Sequence, residues 1–417
     1  MSASAPPLAD AAWLRQGAVA RLLAVLDRDG EEARVVGGAV RNALMHLPVG
    51  EIDVATTAVP QEVMRRVKQA GWKAVPTGID HGTVTVVIDK HPFEVTTLRQ
   101  DVETFGRKAR VEFGRDWVAD ARRRDFTINA LSVSATGQVF DYVGGRDDIA
   151  ARRVRFIGDP GQRIAEDFLR ILRFFRFHAH FAFGPPDEAG LAACIRARAG
   201  LDQLSRERVR MELLKLVIAP RAAPTLWAMA DSGILGTVLG GVAYVPSFEK
   251  LAEREAALGL GPDPVRRLGA LGVAVHEDAE RLAERLRLSN AEAERLLVLD
   301  GWWRVAPSAG EQPAHALLYR LGPVSFVDRV LVAWSRAAAD AADADWRALV
   351  TLQQRWTAPT FPLKSADFMR RGVPKGPALG AALRAAEAAW IAADFPLARD
   401  VLDTIAERAT QAATAVS

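Results

Sequence analysis

VVGGAVRNALMHLPVGEIDVATT, Val35 to Thr57, places two adjacent glycines after a short apolar run and, further on, two carboxylates around a single isoleucine. The pattern reads as strand, glycine turn, helix, strand: ARVV ends at Gly37, Gly38 to Met45 can form a helix, and EIDVATT is short and β-branched. On a strand, residues i and i+2 share a face, so Glu51 and Asp53 would present both carboxylates to one point while Ile52 packs behind them. Hard divalent cations such as Mg²⁺ take oxygen ligands at about 2.0–2.1 Å, and two such ions can stabilise the attacking and leaving oxygens of phosphoryl transfer. Glycines at a strand-to-helix turn let backbone N–H groups approach an anion. Gly38 and Arg41, one helical turn apart, could therefore hold a triphosphate. Taken singly, the glycine pair is a tight turn and the acids are a solvated strand face; their combination carries the argument.

Leu8 to Leu26 has apolar residues at helical spacing and predicts one helix before β-rich ARVV. VPQEVMRRVKQAG predicts a helix covering the sheet, with Pro60 in its first turn and Gly71 as its stop. GTVTVVID and FEVTTLR flank KHP in the pattern of a hairpin, which puts Glu94 on a strand able to pair beside Glu51 and Asp53. Beyond DYVGGRDDI helical periodicity dominates, so the expected architecture is an α/β head followed by a long all-α remainder. The chain of 417 residues is 49% hydrophobic, long enough for several domains. No apolar run approaches the ~20 residues that span a bilayer, and MSASAPPLADAAW lacks a basic and apolar leader pattern, so no membrane partner and a cytoplasmic location are expected. The lone cysteine, Cys194, excludes a disulfide framework and a multi-cysteine zinc site and reads as a small buried hydrophobe. Net charge is only +3, with Arg far in excess of Lys, a weak pointer to nucleic acid.

Two further stretches concentrate charge. In RRRDFTINAL, Arg124 could grip phosphate while Asp125 and Asn129 engage a sugar; a solvated charge run is the plain alternative. In EDFLRILRFFRF, Asp167, Arg170, Arg173 and Arg176 are spaced by three and would lie along one helix face fixed by the intervening Phe and Leu residues. An acceptor beside donors complements a base that offers an exocyclic amine next to an unprotonated ring nitrogen, as cytosine and adenine do. The competing reading of Asp167 and Arg170 is an i,i+3 ion pair within the helix. His276, Glu277 and Asp278 invite a metal-phosphohydrolase reading, but no further ligand set accompanies them and they read as a solvated helix.

In order, VVGGAVRN, EIDVATT, FEVTTLR, RRRDFTINAL, FDYVGGRDDI, EDFLRILRFFRF and SRERVRMELLKL resemble the class II tRNA nucleotidyltransferase and bacterial poly(A) polymerase family, on its CCA-adding side. FPLKSADFMRRGVPKGPALGAAL resembles the family's tail region more loosely. The resemblance implies an α+β protein with a polymerase-β-like nucleotidyltransferase head on a mixed sheet (1–150), then an all-α neck that reads the base (151–218), body (219–330) and tRNA-binding tail (331–417). It implies that Glu51 and Asp53 bind Mg²⁺, and that Glu94 helps activate the tRNA 3′-hydroxyl. Gly38, Arg41 and Arg124 would contact the nucleotide, with Asp125 near its ribose. Asp167 and Arg170 would read the base, with Arg173 and Arg176 as further contacts. The implied reaction uses CTP twice and then ATP to build CCA on tRNA, releasing pyrophosphate, with no protein partner evident. Rival expectations are a poly(A) polymerase, a partial CC- or A-adding enzyme, and a non-catalytic RNA-binding module. Gln100 to Asp120 occupies the place of a mobile loop. In two places the sequence departs from the family: Glu51 stands where Asp is usual, keeping the charge and adding a methylene, and Asn42 follows Arg41 where Asp is usual.

Overall fold

Four consecutive buried residues before the glycine pair form β1 (Ala33–Val36) near the middle of a seven-stranded sheet. The computed structural model describes residues 7–105 and 108–414, without the side chains of residues 80 and 100–111. It contains two compact units, Met1–Val238 and Leu239–Ser417.

The N-terminal unit opens with α1 (Ala12–Arg15) and α2 (Gly17–Leu26). The single helix expected over Leu8 to Leu26 is thus broken, because Gly17 adopts φ +72° and Gln16 is extended. After β1 come α3 (Gly38–Leu44), β2 (Asp53–Thr56), α4 (Pro60–Gln69), β3 (Lys73–Gly78), β4 (Thr83–Ile88) and β5 (His91–Thr97). The sheet is completed by β8 (Ser132–Val133) and β9 (Val139–Phe140), in the order β3-β4-β5-β2-β1-β8-β9. It is mixed: β2 and β5 are parallel and the other pairs antiparallel. Between β5 and β8, β6 (Arg99–Phe105) and β7 (Lys108–Phe113) pair as a separate ribbon, followed by α5 (Trp117–Arg122). Within the Gln100 to Asp120 stretch the described backbone forms this ribbon and the start of α5, capped by Asp116; residues 106 and 107 lie outside the described residues.

α2 and α4 cover the sheet with residues at i, i+3 and i+4 spacing: Val19, Leu22, Leu23 and Leu26 on one, Val63 and Val67 on the other. Buried Arg66 of α4 donates to the carbonyls of Leu26 and Arg28 at 3.0 and 2.9 Å, satisfying the end of α2. Then follow α6 (Gly145–Ala150), α7 (Pro160–Glu166), α8 (Leu169–Phe181), α9 (Glu188–Ala197) and α10 (Arg206–Val217). Phe126, Phe156, Phe174 and Phe177 join α8 to the sheet-bearing part, with ring centroids 4.9–5.3 Å apart along the chain of contacts. The FDYVGGRDDI motif is a structural turn. Asp141 accepts four backbone N–H groups from Val143 to Arg146, and a Cβ on Gly145 would come within 2.3 Å of the Thr127 carbonyl oxygen.

The described part of the C-terminal unit is helical. Its buried Asp328 accepts from Arg266 at 2.8 Å and Arg295 at 2.7 Å, while buried Glu255 accepts from Arg266 and Arg267. The long helix Glu311–Arg336 kinks at Gly322 (φ +72°, ψ 171°), just before Pro323, whose ring cannot follow a regular turn. Helices Pro377–Ala392 and Arg399–Thr414 close on Trp390, Phe368 and Phe395. Among the described residues no helix is long and apolar enough to cross a membrane.

Candidate active site

β1 and β2 run antiparallel with Val36 opposite Asp53, so the glycine turn leaving β1 and the acid entering β2 meet at one edge of the sheet. On the other flank β5 is parallel to β2 and Glu94 is in register with Asp53. Glu51 precedes β2 in a bend, a correction to its expected place on the strand. Extending β2 would require partners at Gly38, already helical, and near Pro92, which has no N–H to give. Glu51, Asp53 and Glu94 are exposed, and none of their carboxylates is hydrogen-bonded or salt-bridged among the described residues. Partial desolvation and then the Glu94 and Glu51 charges raise the Asp53 carboxyl above its ordinary range, with Arg124 opposing them.

Mutually repelling, unpaired carboxylates are the donor chemistry that a divalent cation relieves. Among the described residues no three His, Cys, Asp or Glu side chains stand ready as a complete metal cage.

Gly37 turns the chain from β1 into α3 at φ +69°, ψ −122°, a conformation almost restricted to glycine. Its N–H donates to the Leu131 carbonyl at 3.0 Å, and a Cβ there would lie 3.5 Å from Arg124 Nη1. Arg124 therefore flanks the turn. Its guanidinium is tied to Asp120 Oδ2 at 3.0 Å, while Asp120 Oδ1 takes Arg123 at 2.6 Å. Burial opposes the Asp120 charge, but these arginines hold its carboxyl below the usual range. Asp120 escaped the sequence reading, although its spacing to Arg123 and Arg124 on one capped helical turn was a usable signal.

Arg41 on α3 is buried, with its guanidinium 3.9 Å from the Phe181 ring centroid. Nη1 donates to Asn129 Oδ1 at 2.5 Å; Nε and Nη2 donate to Asn42 Oδ1 at 3.1 and 2.8 Å. Asn42 in turn donates to the Pro48 carbonyl at 3.0 Å. An amide, not a carboxylate, thus orients Arg41 and leaves its charge unneutralised at that point. Burial and the nearby Arg176 and Arg173 charges pull its pKa down to about 10, with Asp125 offsetting part of this.

Asp125 is committed to α8: its Oδ2 accepts from Arg173 Nε and Nη2 at 2.8 and 2.6 Å, and its Oδ1 from Phe126 N and Asn129 Nδ2. Burial works against this carboxylate, but Arg173 outweighs it and keeps the group ionised well below the usual range. Arg176 pairs with Glu212 of α10 and packs 4.4 Å from the Phe177 centroid.

The expected single face from Asp167 to Arg176 is interrupted. Asp167 is extended (φ −159°, ψ 108°) between α7 and α8, and its partner is Arg208 of α10, with Arg208 Nη1 3.2 Å from Oδ1. Arg170 instead pairs with Glu166 and donates to the Arg163 carbonyl at 2.7 Å. Arg163 reaches back to the Arg124 carbonyl at 2.9 Å. Glu166, Arg208 and Glu212 are the partners that sequence reasoning missed, since their choice depends on how α7, α8 and α10 pack. Cys194 is buried and its thiol is pushed up by that burial. His276 sits in the exposed first turn of helix His276–Leu286, 3.4 Å from Glu280.

Residues 33–155 match the model for the "Poly A polymerase head domain", and 186–245 that for the "Probable RNA and SrmB- binding site of polymerase A". The chain is 32% identical over 381 residues to the mouse (Mus musculus) mitochondrial CCA tRNA nucleotidyltransferase 1, covering 90% of this chain and 86% of that protein. A CCA-adding enzyme of Geobacillus sp. is 40% identical over 215 residues, about half of each chain. The solved Bacillus stearothermophilus CCA-adding enzyme in complex with CTP superposes with TM-score 0.73 at 26% identity, covering 93% of this chain and 96% of that one.

Proposed function

The chain belongs to the CCA tRNA nucleotidyltransferase family, and we propose that it adds CCA to tRNA 3′ ends from CTP and ATP through the residues gathered at the β1–β2 edge. The observation that carries the assignment of roles is the register that sets Val36 and Glu94 on either side of Asp53. Asp53 and Glu51 would hold Mg²⁺ together with the triphosphate; the cation supplies charge neutralisation at the reacting phosphate and lowers the cost of deprotonating the attacking hydroxyl. Glu94, unpaired and beside Asp53, is placed to accept the proton of the tRNA 3′-OH as that oxygen attacks the α-phosphate and pyrophosphate leaves.

Gly38 lets backbone approach the triphosphate, while Arg41 and Arg124 face it with guanidiniums already aimed by Asn42, Asn129 and Asp120. Arg173 and Arg176 extend the positive field, and Asp125, its acceptor sites taken by Arg173, Asn129 and the Phe126 N–H, holds Arg173 in place beside the ribose. Asp167 accepts from two Arg208 nitrogens and the Leu169 N–H, three of its roughly four acceptor sites, and Arg170 uses only Nη1, so both can meet a base without breaking the bonds that hold them. That acceptor–donor order suits cytosine and adenine and disfavours uracil and guanine, worth ~1–3 kcal/mol per good pair.

The assignment of 1–150 as head, 151–218 as neck, 219–330 as body and 331–417 as tail, and a cytoplasmic location, belong to this same reading. The head-domain match ending at residue 155 supports the first boundary. Supplying tRNA that lacks its CCA end with labelled CTP alone and ATP alone tests the proposal. Incorporation from CTP is expected, whereas a poly(A) polymerase would use ATP and ignore CTP.

A further inference from the structure

In the C-terminal unit a pocket of about 420 Å³ opens beside the kink at Gly322 and takes no part in the reaction described above. Arg304, Arg320 and Arg329 line it, with Asp300 as the one acidic residue and Trp303 at the edge. Arg304 and Arg320 are exposed, and neither has a carboxylate or hydrogen-bond partner among the described residues. Arg329 is half-buried and donates its Nε to the Val298 carbonyl. Three guanidiniums in one concavity with one carboxylate leave an uncompensated positive charge, the arrangement that an incoming phosphate relieves.

The rim supplies a second, different kind of contact. Trp302 is pinned by its indole N–H to the Ala274 carbonyl at 2.9 Å and stands edge-on to Trp303, with centroids 5.9 Å apart at 87°. Trp303 is thereby held in place while half of its surface stays in solvent. A fixed, exposed indole next to unpaired arginines is a stacking platform beside a phosphate clamp.

We propose that this pocket binds one nucleotide of an RNA strand, its phosphate against Arg304 and Arg320 and an unpaired base against Trp303. The RNA is identified as tRNA only through the family reading, but the site itself follows from the geometry. Phosphate and base could also come from a free mononucleotide, and the test separates the two sources.

The probe is a fluorescent tRNA transcript ending before CCA, titrated with the full chain by anisotropy. Trp303→Ala is expected to weaken binding about 10-fold, and Trp303→Phe to restore most of it. Arg304→Gln combined with Arg320→Gln should lower the slope of log affinity against log salt by about 1, the loss of one phosphate contact. With tRNA held saturating for each variant, none of these changes should move the KM for CTP, whereas the KM for tRNA should rise with the loss of affinity. A blunt-ended RNA duplex of two fully complementary strands, which has no unpaired bases, should not respond to Trp303→Ala. Unchanged tRNA affinity in both the tryptophan and the arginine variants would overturn the proposal. So would competition by CMP at concentrations comparable to its own Trp303-dependent binding, which would make this a free-nucleotide site. If the wild-type chain bound RNA in this way yet added no nucleotide, the catalytic reading would fail and the pocket would stand.

Discussion

Replacing Asp125 by Asn tests how α8 is attached to the sheet-bearing part. The carboxylate is nearly buried, with its side chain 11% exposed, and receives four hydrogen bonds, two of them from Arg173 at 2.8 and 2.6 Å. Breaking a buried ion pair costs about 3–5 kcal/mol. The lower end applies here, because the Arg173 side chain is 32% exposed and Glu212 stands 3.9 Å away as a spare partner. About 3 kcal/mol of local stability should therefore be lost around α8. The variant also leaves Arg41, Arg173 and Arg176 with Glu212 as their remaining close carboxylate, so adding Arg173→Met to Asp125→Asn should return about 1 kcal/mol or more rather than cost a second increment. Amide hydrogen exchange within α8 is the suitable assay, since a two-unit chain need not unfold in a single step. The expected acceleration is about 10²-fold for the single variant and less for the double. Exchange within about twofold of wild type, or a double variant that loses as much again, would refute the reasoning.

Glu51→Asp should keep turnover within about 10-fold of wild type, since the carboxylate remains and only a methylene of reach is lost; turnover that appears only in the Asp variant would favour the non-catalytic RNA-binding module. Gly37→Ala should raise the KM for CTP and cost about 1–3 kcal/mol, because φ +69°, ψ −122° strains any L side chain; unchanged kinetics would contradict this role for the turn. His178, buried in α8, has its pKa lowered to about 4 by burial and then by Arg221. The unfolded chain therefore binds its proton first, and the stability at stake is intact above pH 6.5 and drains away as pH falls from 6.5 toward 4, by about 3 kcal/mol in full. A His178→Asn variant should lack that limb of the urea-midpoint profile, and identical profiles would count against it.

Much of the candidate site was legible because its signals are local. A glycine that must adopt positive φ, a β-branched run with an acid at its start and a helix opened by proline each reveal themselves within a few residues. Asp53 and Glu94 could be matched because strands offer few ways to pair. What stayed hidden depends on neighbours distant in sequence. Glu51 fell outside β2 because β1 had already turned at Gly37. The i,i+3 spacing of Asp167 and Arg170 suggested one helix face, yet Asp167 interrupts the helix and finds Arg208, while Arg170 finds Glu166. The hairpin between Arg99 and Phe113 carries a weak, highly polar alternation, and the Gly322 kink lies inside a segment whose apolar periodicity continues on both sides. Arg41 shows the same limit at one residue: its motif marks it as an anion contact, but only the structure shows an asparagine, rather than a carboxylate, holding it in place.

Sequencing the 3′ ends of a tRNA that lacks CCA, after incubation with the protein, Mg²⁺ and all four nucleoside triphosphates, measures the central claim directly. Ends reading CCA and stopping there are expected from the wild-type chain, with Asp53→Asn reducing the yield by about 10²-fold or more while tRNA affinity is retained. Oligo(A) ends, incorporation of U or G at C or A positions, or full activity in Asp53→Asn would contradict it.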